Sequence, residues 1–193
     1  MESHRTRVRE ALIRAALELT VERGWDGVRM ADVGARAGVS RQTVYNEFGG
    51  REGLAEALAV SEVHRFAQRI RASLFGTGGD VRAAAYAAIL LTLEEAARNP
   101  LVRAIVTSGR GGADELLPYL TTRSEIVLSE AGAVLTEWAR VHLPSLAPAT
   151  VALAVDSVIR LTVSHLMLPT DTPAATAAAL AEVFVRLLGP GVR

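Results

Sequence analysis

Apolar side chains recur at steps of three and four residues along almost the whole chain, and no convincing run of alternating, β-branched residues interrupts that rhythm. Such spacing gathers apolar groups on one side of helix after helix and gives a sheet nothing to pair. The chain therefore reads as all-α. Breakers divide the pattern at residues 24–27, at Gly38, at Gly49 and Gly50, at "GTGGD" (76–80), at Asn99 and Pro100, at "GRGG" (109–112), at Pro118, at "PSLAP" (144–148) and at "PTDTP" (169–173). These cuts predict roughly nine or ten helices. The first three are short and close together, near residues 5–23, 30–37 and 41–47. A fourth, from about Arg51 to Leu74, sets Leu54, Leu58, Phe66, Ile70 and Leu74 largely on one side, and the later helices are longer.

Composition narrows the chemistry. Half of the 193 residues are hydrophobic, enough for a substantial core without staples. There is no Cys, which excludes disulfides, thiolate metal sites and Cys nucleophiles. All 21 basic residues are Arg and 21 acids balance them, so no global field draws the protein to a polyanion. Residues 1–51 hold nine Arg against seven acids, and nucleic-acid binding would have to come from where those Arg are placed. The N-terminus "MESHRTRVRE" lacks the apolar core of an export signal, so the expected location is cytoplasmic. The apolar stretch 151–168 approaches spanning length, but Asp156, Arg160 and His165 interrupt it at helical spacing; it is expected to be buried in protein, with no membrane involved.

One segment breaks the Ala, Leu and Val monotony: "AGVSRQTVYNEF", residues 37–48. Gly38 can take the left-handed conformation that ends a helix, Val39 turns inward, and Ser40 caps the next helix. Val44 and Phe48, four residues apart, bury against the two preceding helices. Arg41, Gln42, Thr43, Tyr45 and Asn46 are left projecting outward. This is a helix-turn-helix whose second helix fits the DNA major groove, about 12 Å wide, where Arg pairs with guanine and Gln or Asn with adenine.

In "ALIRAALELTVERGW", "MADVGARAGVSRQTVYNEF" and "GGREGL" the chain resembles the tetracycline-repressor (TetR) family of one-component bacterial transcriptional regulators, specifically over about residues 9–58. The resemblance implies an N-terminal DNA-binding unit, residues 1–50, followed by a larger helical ligand-binding and dimerisation domain, residues 51–193. It places Gln42, Thr43, Tyr45 and Asn46 on DNA-touching positions and Arg51 where the family usually has a phosphate-contacting Lys. With Arg29, Ser40 and Arg41 these make the expected DNA-facing set. Three positions depart from the family pattern. Arg29 replaces a helix-capping Thr, Gly34 a common Ala, and Glu47 a frequent His; Glu47 should face sideways and pair with an Arg rather than meet phosphates.

The resemblance further implies a homodimer on a palindromic operator and a small-molecule effector. Val151, Val155, Val158 and Leu166, with Leu180, Phe184 and Leu187 on the last helix, are the expected dimer residues, unless these two helices merely complete the chain's own core. His64, Tyr86, Trp138, Arg160 and His165 are the polar or aromatic candidates for a largely apolar ligand site, although Asp156 and Arg160, one turn apart, also suit an ion pair. No cofactor is expected. The four His lack metal-ligand spacing, and neither a phosphate-binding Gly loop nor a nucleophile elbow is present, so neither a metal site nor an enzyme is expected. The rival to a regulator is a helical adaptor that binds protein, not DNA, through residues 41–47. In the regulator reading repression is the commoner mode, with ligand binding lowering DNA affinity.

Overall fold

The computed structural model describes residues 2–99 and 125–190. The breakers expected at Pro100, at 109–112 and at Pro118 lie outside the described residues. Those residues form eight α-helices and one short 3-10 turn, with no strand among them: α1 (Glu2–Arg23), the turn Trp25–Gly27, α2 (Met30–Ala37), α3 (Arg41–Phe48), α4 (Arg51–Gly76), α5 (Val81–Arg98), α6 (Glu125–His142), α7 (Pro148–Met167) and α8 (Pro173–Leu188). The helix ends carry the expected chemistry. Asp80 accepts from the Ala83 N–H at 2.8 Å to start α5, Thr172 accepts from the Ala175 N–H at 3.2 Å to start α8, and Pro148 and Pro173 open α7 and α8 where no intrahelical N–H is needed.

The packing divides into two compact units, and the division falls inside α4, between Glu62 and Val63, some residues beyond the boundary at residue 50 that the resemblance implies. The first turns of α4 account for the difference. Leu54, Ala55, Ala57 and Leu58 are buried with Leu12, Ala16, Leu19, Trp25, Val33, Val44 and Phe48 in the N-terminal core. Arg36 ties α2 to Glu18 and Glu22 of α1, and Arg23 pairs with Asp32.

The second core brings together Ile70 and Leu74 of α4, Val81, Ala84 and Ala88 of α5, Trp138 of α6, Val155 and Val158 of α7, and Leu180 and Phe184 of α8. Helix α5 packs most extensively on α8, and Ala84, Ala85 and Ala88 share a core with Ala177 and Ala181; small side chains let helix axes approach. Helix α7 is not buried all round. Val151, Ala154, Val155, Val158, Ile159 and Thr162 are covered, while Leu153, Asp156, Arg160 and Leu161 are exposed. Of the expected dimer residues, Val151, Val155, Val158, Leu180 and Phe184 lie in the chain's own core, and Leu166 and Leu187 pack partly against it. The reason is physical: periodicity marks a position as apolar without saying whether the same chain or a second copy covers it.

Ion pairs brace the helices within each unit. Arg71 holds Glu137, Arg82 holds Glu182, and Arg36 holds Glu22; in each case the hydrogen bond from the guanidinium is the main reason the carboxyl sits below its ordinary value near 4.5. A carboxyl depressed in the folded state contributes stability that is present above the unfolded value and lost as pH falls through the folded one. The melting temperature, followed by circular dichroism, is therefore expected to be flat from neutrality to about pH 5 and to decline below it. Because these pairs are exposed, each should contribute modestly and weaken with salt. An unchanged melting temperature at pH 3 would show that they contribute nothing.

Candidate nucleic-acid interface

The turn between α2 and α3 is built from four local devices. Gly38 adopts φ 72° and ψ 28°, which a side chain disfavours, and the Val39 N–H donates back to the Gly34 carbonyl at 2.9 Å. Gly34 lets α3 cross closely, since a Cβ there would stand 3.0 Å from the Val39 carbonyl oxygen and 3.2 Å from a Val44 methyl. The Ser40 hydroxyl accepts the Thr43 N–H at 3.1 Å and caps α3. Val44 and Phe48 anchor the inner face in the N-terminal core.

The outer face of α3 carries Arg41, Gln42 and Asn46, all exposed, with Thr43 and Tyr45 half-buried at its edges. These side chains are paired along the helix. Arg41 donates to the Tyr45 hydroxyl at 3.2 Å, with its guanidinium carbon 5.1 Å from the ring centroid, and the Gln42 amide donates to the Asn46 oxygen at 2.9 Å. Ser40 and Thr43 share a hydroxyl–hydroxyl bond of 2.9 Å. Such pairing reduces the rotamer freedom that binding would otherwise remove. Arg29 is exposed at the start of α2 and supplies no side-chain cap.

Arg51, expected at a phosphate, is engaged within the chain. It donates to the carbonyls of Val28 at 2.8 Å and Trp25 at 2.9 Å, lies over the Trp25 ring at 4.8 Å and stands 3.7 Å from the Asp26 carboxylate. It clamps the beginning of α4 to the turn before α2. Glu47 is flanked by two side chains of α1 that the sequence pattern does not single out: Arg5 at 3.2 Å and Arg9 at 2.9 Å, with Arg9 also over the Phe48 ring at 4.9 Å. Their one signal in the sequence is a spacing of four residues at the start of α1.

The candidate ligand residues are dispersed within the second unit. His64 is exposed and bonds Glu130 at 3.0 Å, and Arg160 is exposed and paired with Asp156 at 2.9 Å. Trp138 is 1% exposed and stacked on His142, Tyr86 packs partly against the core, and His165 is half-buried. The Trp138 indole nitrogen and the His165 Nδ1 are buried without a hydrogen-bond partner among the described residues.

A capped helix-turn-helix presenting polar side chains, joined to a larger helical unit, defines the class of DNA-binding regulators. The family comparisons agree. Residues 12–58 match the model described as bacterial regulatory proteins, tetR family, and residues 80–186 match the tetracycline repressor C-terminal domain. The chain belongs to the TetR family of bacterial transcriptional regulators. It is 30% identical to the HTH-type transcriptional regulator AlkX of Mycobacterium tuberculosis over 94% of this chain and 85% of that protein. The crystal structure of the TetR-family repressor AlkX from Dietzia sp. strain DQ12-45-1b, implicated in biodegradation of n-alkanes, is 32% identical and superposes with a TM-score of 0.78 over 95% of this chain and 98% of that one. A TetR-family regulator from Pectobacterium atrosepticum, 19% identical, shares the fold with a TM-score of 0.70 over the full length of both chains. Members of this family bind DNA, dimerise and bind small-molecule effectors, and they are generally regulators rather than enzymes.

Proposed function

We propose that the protein is a repressor that binds a palindromic operator as a homodimer and is released by a small, largely apolar effector. Residues 1–50 read the DNA and residues 51–193 pair the subunits and sense the ligand. The observation that carries this reading is the outward, pairwise-ordered array Arg41–Tyr45 and Gln42–Asn46 on a capped helix. In this reading Gln42 and Asn46 meet base edges, Thr43 and Tyr45 approach phosphates, and Arg29 and Ser40 lie at the margin of the footprint. Release follows if the ligand-bound second unit moves α4 and changes the spacing of the two recognition helices, with typical coupling of about 1–3 kcal/mol.

The Dietzia relative's link to n-alkane degradation supports an aliphatic effector, which suits a unit whose interior is mostly Leu, Val, Ala and Ile, with Trp138 and Phe184, and holds two buried ring nitrogens without a partner among the described residues. The test is fluorescence anisotropy on a duplex from the promoter beside the protein's own gene, across a salt series and with straight-chain aliphatic compounds added. Binding should fall steeply with salt; Gln42→Ala, at an exposed position, should weaken it by about 5–150-fold without lowering the melting temperature, and Tyr45→Phe, which keeps the ring that packs against the N-terminal core, should weaken it by removing the hydroxyl alone. Indifference to any duplex would favour the adaptor reading.

A further inference from the structure

Glu47 sits on the recognition helix, where a carboxylate would be expected to repel phosphates. By helical spacing, Thr43 and Glu47 share one edge of α3, Arg41 and Tyr45 share the other, and Gln42 and Asn46 lie between them. A helix lying in a major groove about 12 Å wide has a phosphate wall along each edge. The 41/45 edge carries its own Arg. On the 43/47 edge the cations come instead from α1: Arg5 is engaged through its inner nitrogen, Nε, and its side chain is 76% exposed, while Arg9 is 42% exposed. Glu47 between them is only 13% exposed, so water and phosphate reach the guanidinium groups more readily than the carboxylate. Two cations on one shielded anion leave that edge positive. Burial pushes the Glu47 carboxyl up, but hydrogen bonds from Arg9 and Arg5 and their charges outweigh it and keep the group ionised near neutrality.

We propose that Glu47 is a positioning residue: it holds Arg5 and Arg9 along the 43/47 edge of the recognition helix so that they contact the phosphate backbone on that side of the groove. This rests on the DNA-binding reading above, with α1 supplying a part of the footprint that the helix-turn-helix lacks. The consequence runs against simple charge counting. Glu47→Gln makes the surface more positive, yet it releases Arg5 and leaves Arg9 held only over the Phe48 ring.

Anisotropy titrations of the full chain on two labelled duplexes, one from its own promoter and one of random sequence, separate the alternatives. Glu47→Gln is expected to weaken binding to both by about 3–10-fold and to flatten the dependence of log K on log salt by up to about 0.9 for each phosphate no longer reached. Arg5→Ala, at an exposed position that the fold does not need, should do the same. Combined with Glu47→Gln it should add less than its separate effect, because both changes act on one contact. Gln42→Ala, by contrast, should weaken the promoter duplex selectively. Tighter or unchanged binding by Glu47→Gln with an unaltered melting curve would overturn the proposal. If that variant melts early, Arg5→Ala decides: unchanged affinity and salt slope would overturn it equally. Unaltered protein that binds neither duplex overturns the DNA-binding reading itself; unaltered protein that binds while Glu47→Gln and Arg5→Ala are silent overturns only this inference.

Discussion

On the proposed homodimer, replacing Leu153 and Leu161 together with Arg is expected to yield a folded monomer that has lost most of its affinity for a two-half-site duplex. The inner face of α7 is filled by its own chain, while its outer edge leaves Leu153 60% and Leu161 38% exposed. Two large apolar groups two turns apart, bordered by the exposed Asp156–Arg160 pair, have the composition of an interface centre with a polar rim. Covering what each Leu still exposes contributes about 1–2 kcal/mol for Leu153 and about 0.5–1 kcal/mol for Leu161 per copy, and an unpaired Arg buried in its place costs several more. Neither Leu belongs to the chain's interior, so folding should survive. Linking two DNA-reading units through a dimer raises affinity about 10²–10⁴-fold over one unit alone, and that factor should disappear. Light scattering gives the mass and anisotropy the affinity; a variant that remains dimeric would place the dimer surface elsewhere.

The apolar periodicity of α7 and α8 is legible in the sequence, and so are their starts at Pro148 and Pro173. Which apolar positions stay inside the chain is not, because that depends on how α5 and α6 fall against them. The helix-turn-helix is the most legible part, since Gly38, Ser40, Val44 and Phe48 act through neighbours a few residues away. Long side chains are the least legible. Arg51 occupies a position associated with phosphate contact, yet the carbonyls of Trp25 and Val28 lie within its reach and hold it. Glu47 calls for an Arg partner, but Arg5 and Arg9 are brought to it only because α1 and α3 bury side chains in the same core.

Two glycines that look alike in sequence, both inside helices, part company for a similar reason. Gly132→Ala in α6 is expected to raise stability by about 0.5–1 kcal/mol, because a Cβ there meets nothing within 4 Å and Ala restricts the unfolded chain more than Gly does. Gly53→Ala in the first turn of α4 should instead be destabilising. An added Cβ would lie 2.0 Å from the Phe48 carbonyl oxygen and 3.1 Å from its carbonyl carbon. The neighbour is backbone, so no rotamer change relieves the overlap, and Phe48 itself is buried and anchored in the N-terminal core. Relief requires moving the end of α3 away from the start of α4. Overpacking of this kind typically costs about 1–3 kcal/mol and occasionally more, against a propensity gain of about 1 kcal/mol, so the strain wins. Because α3 carries the outward polar array proposed to read DNA, operator affinity should fall with stability for Gly53→Ala and stay unchanged for Gly132→Ala. Thermal melts and anisotropy on the two variants check both signs, and a Gly53→Ala protein as stable as the original would mean that α3 and α4 separate at little cost.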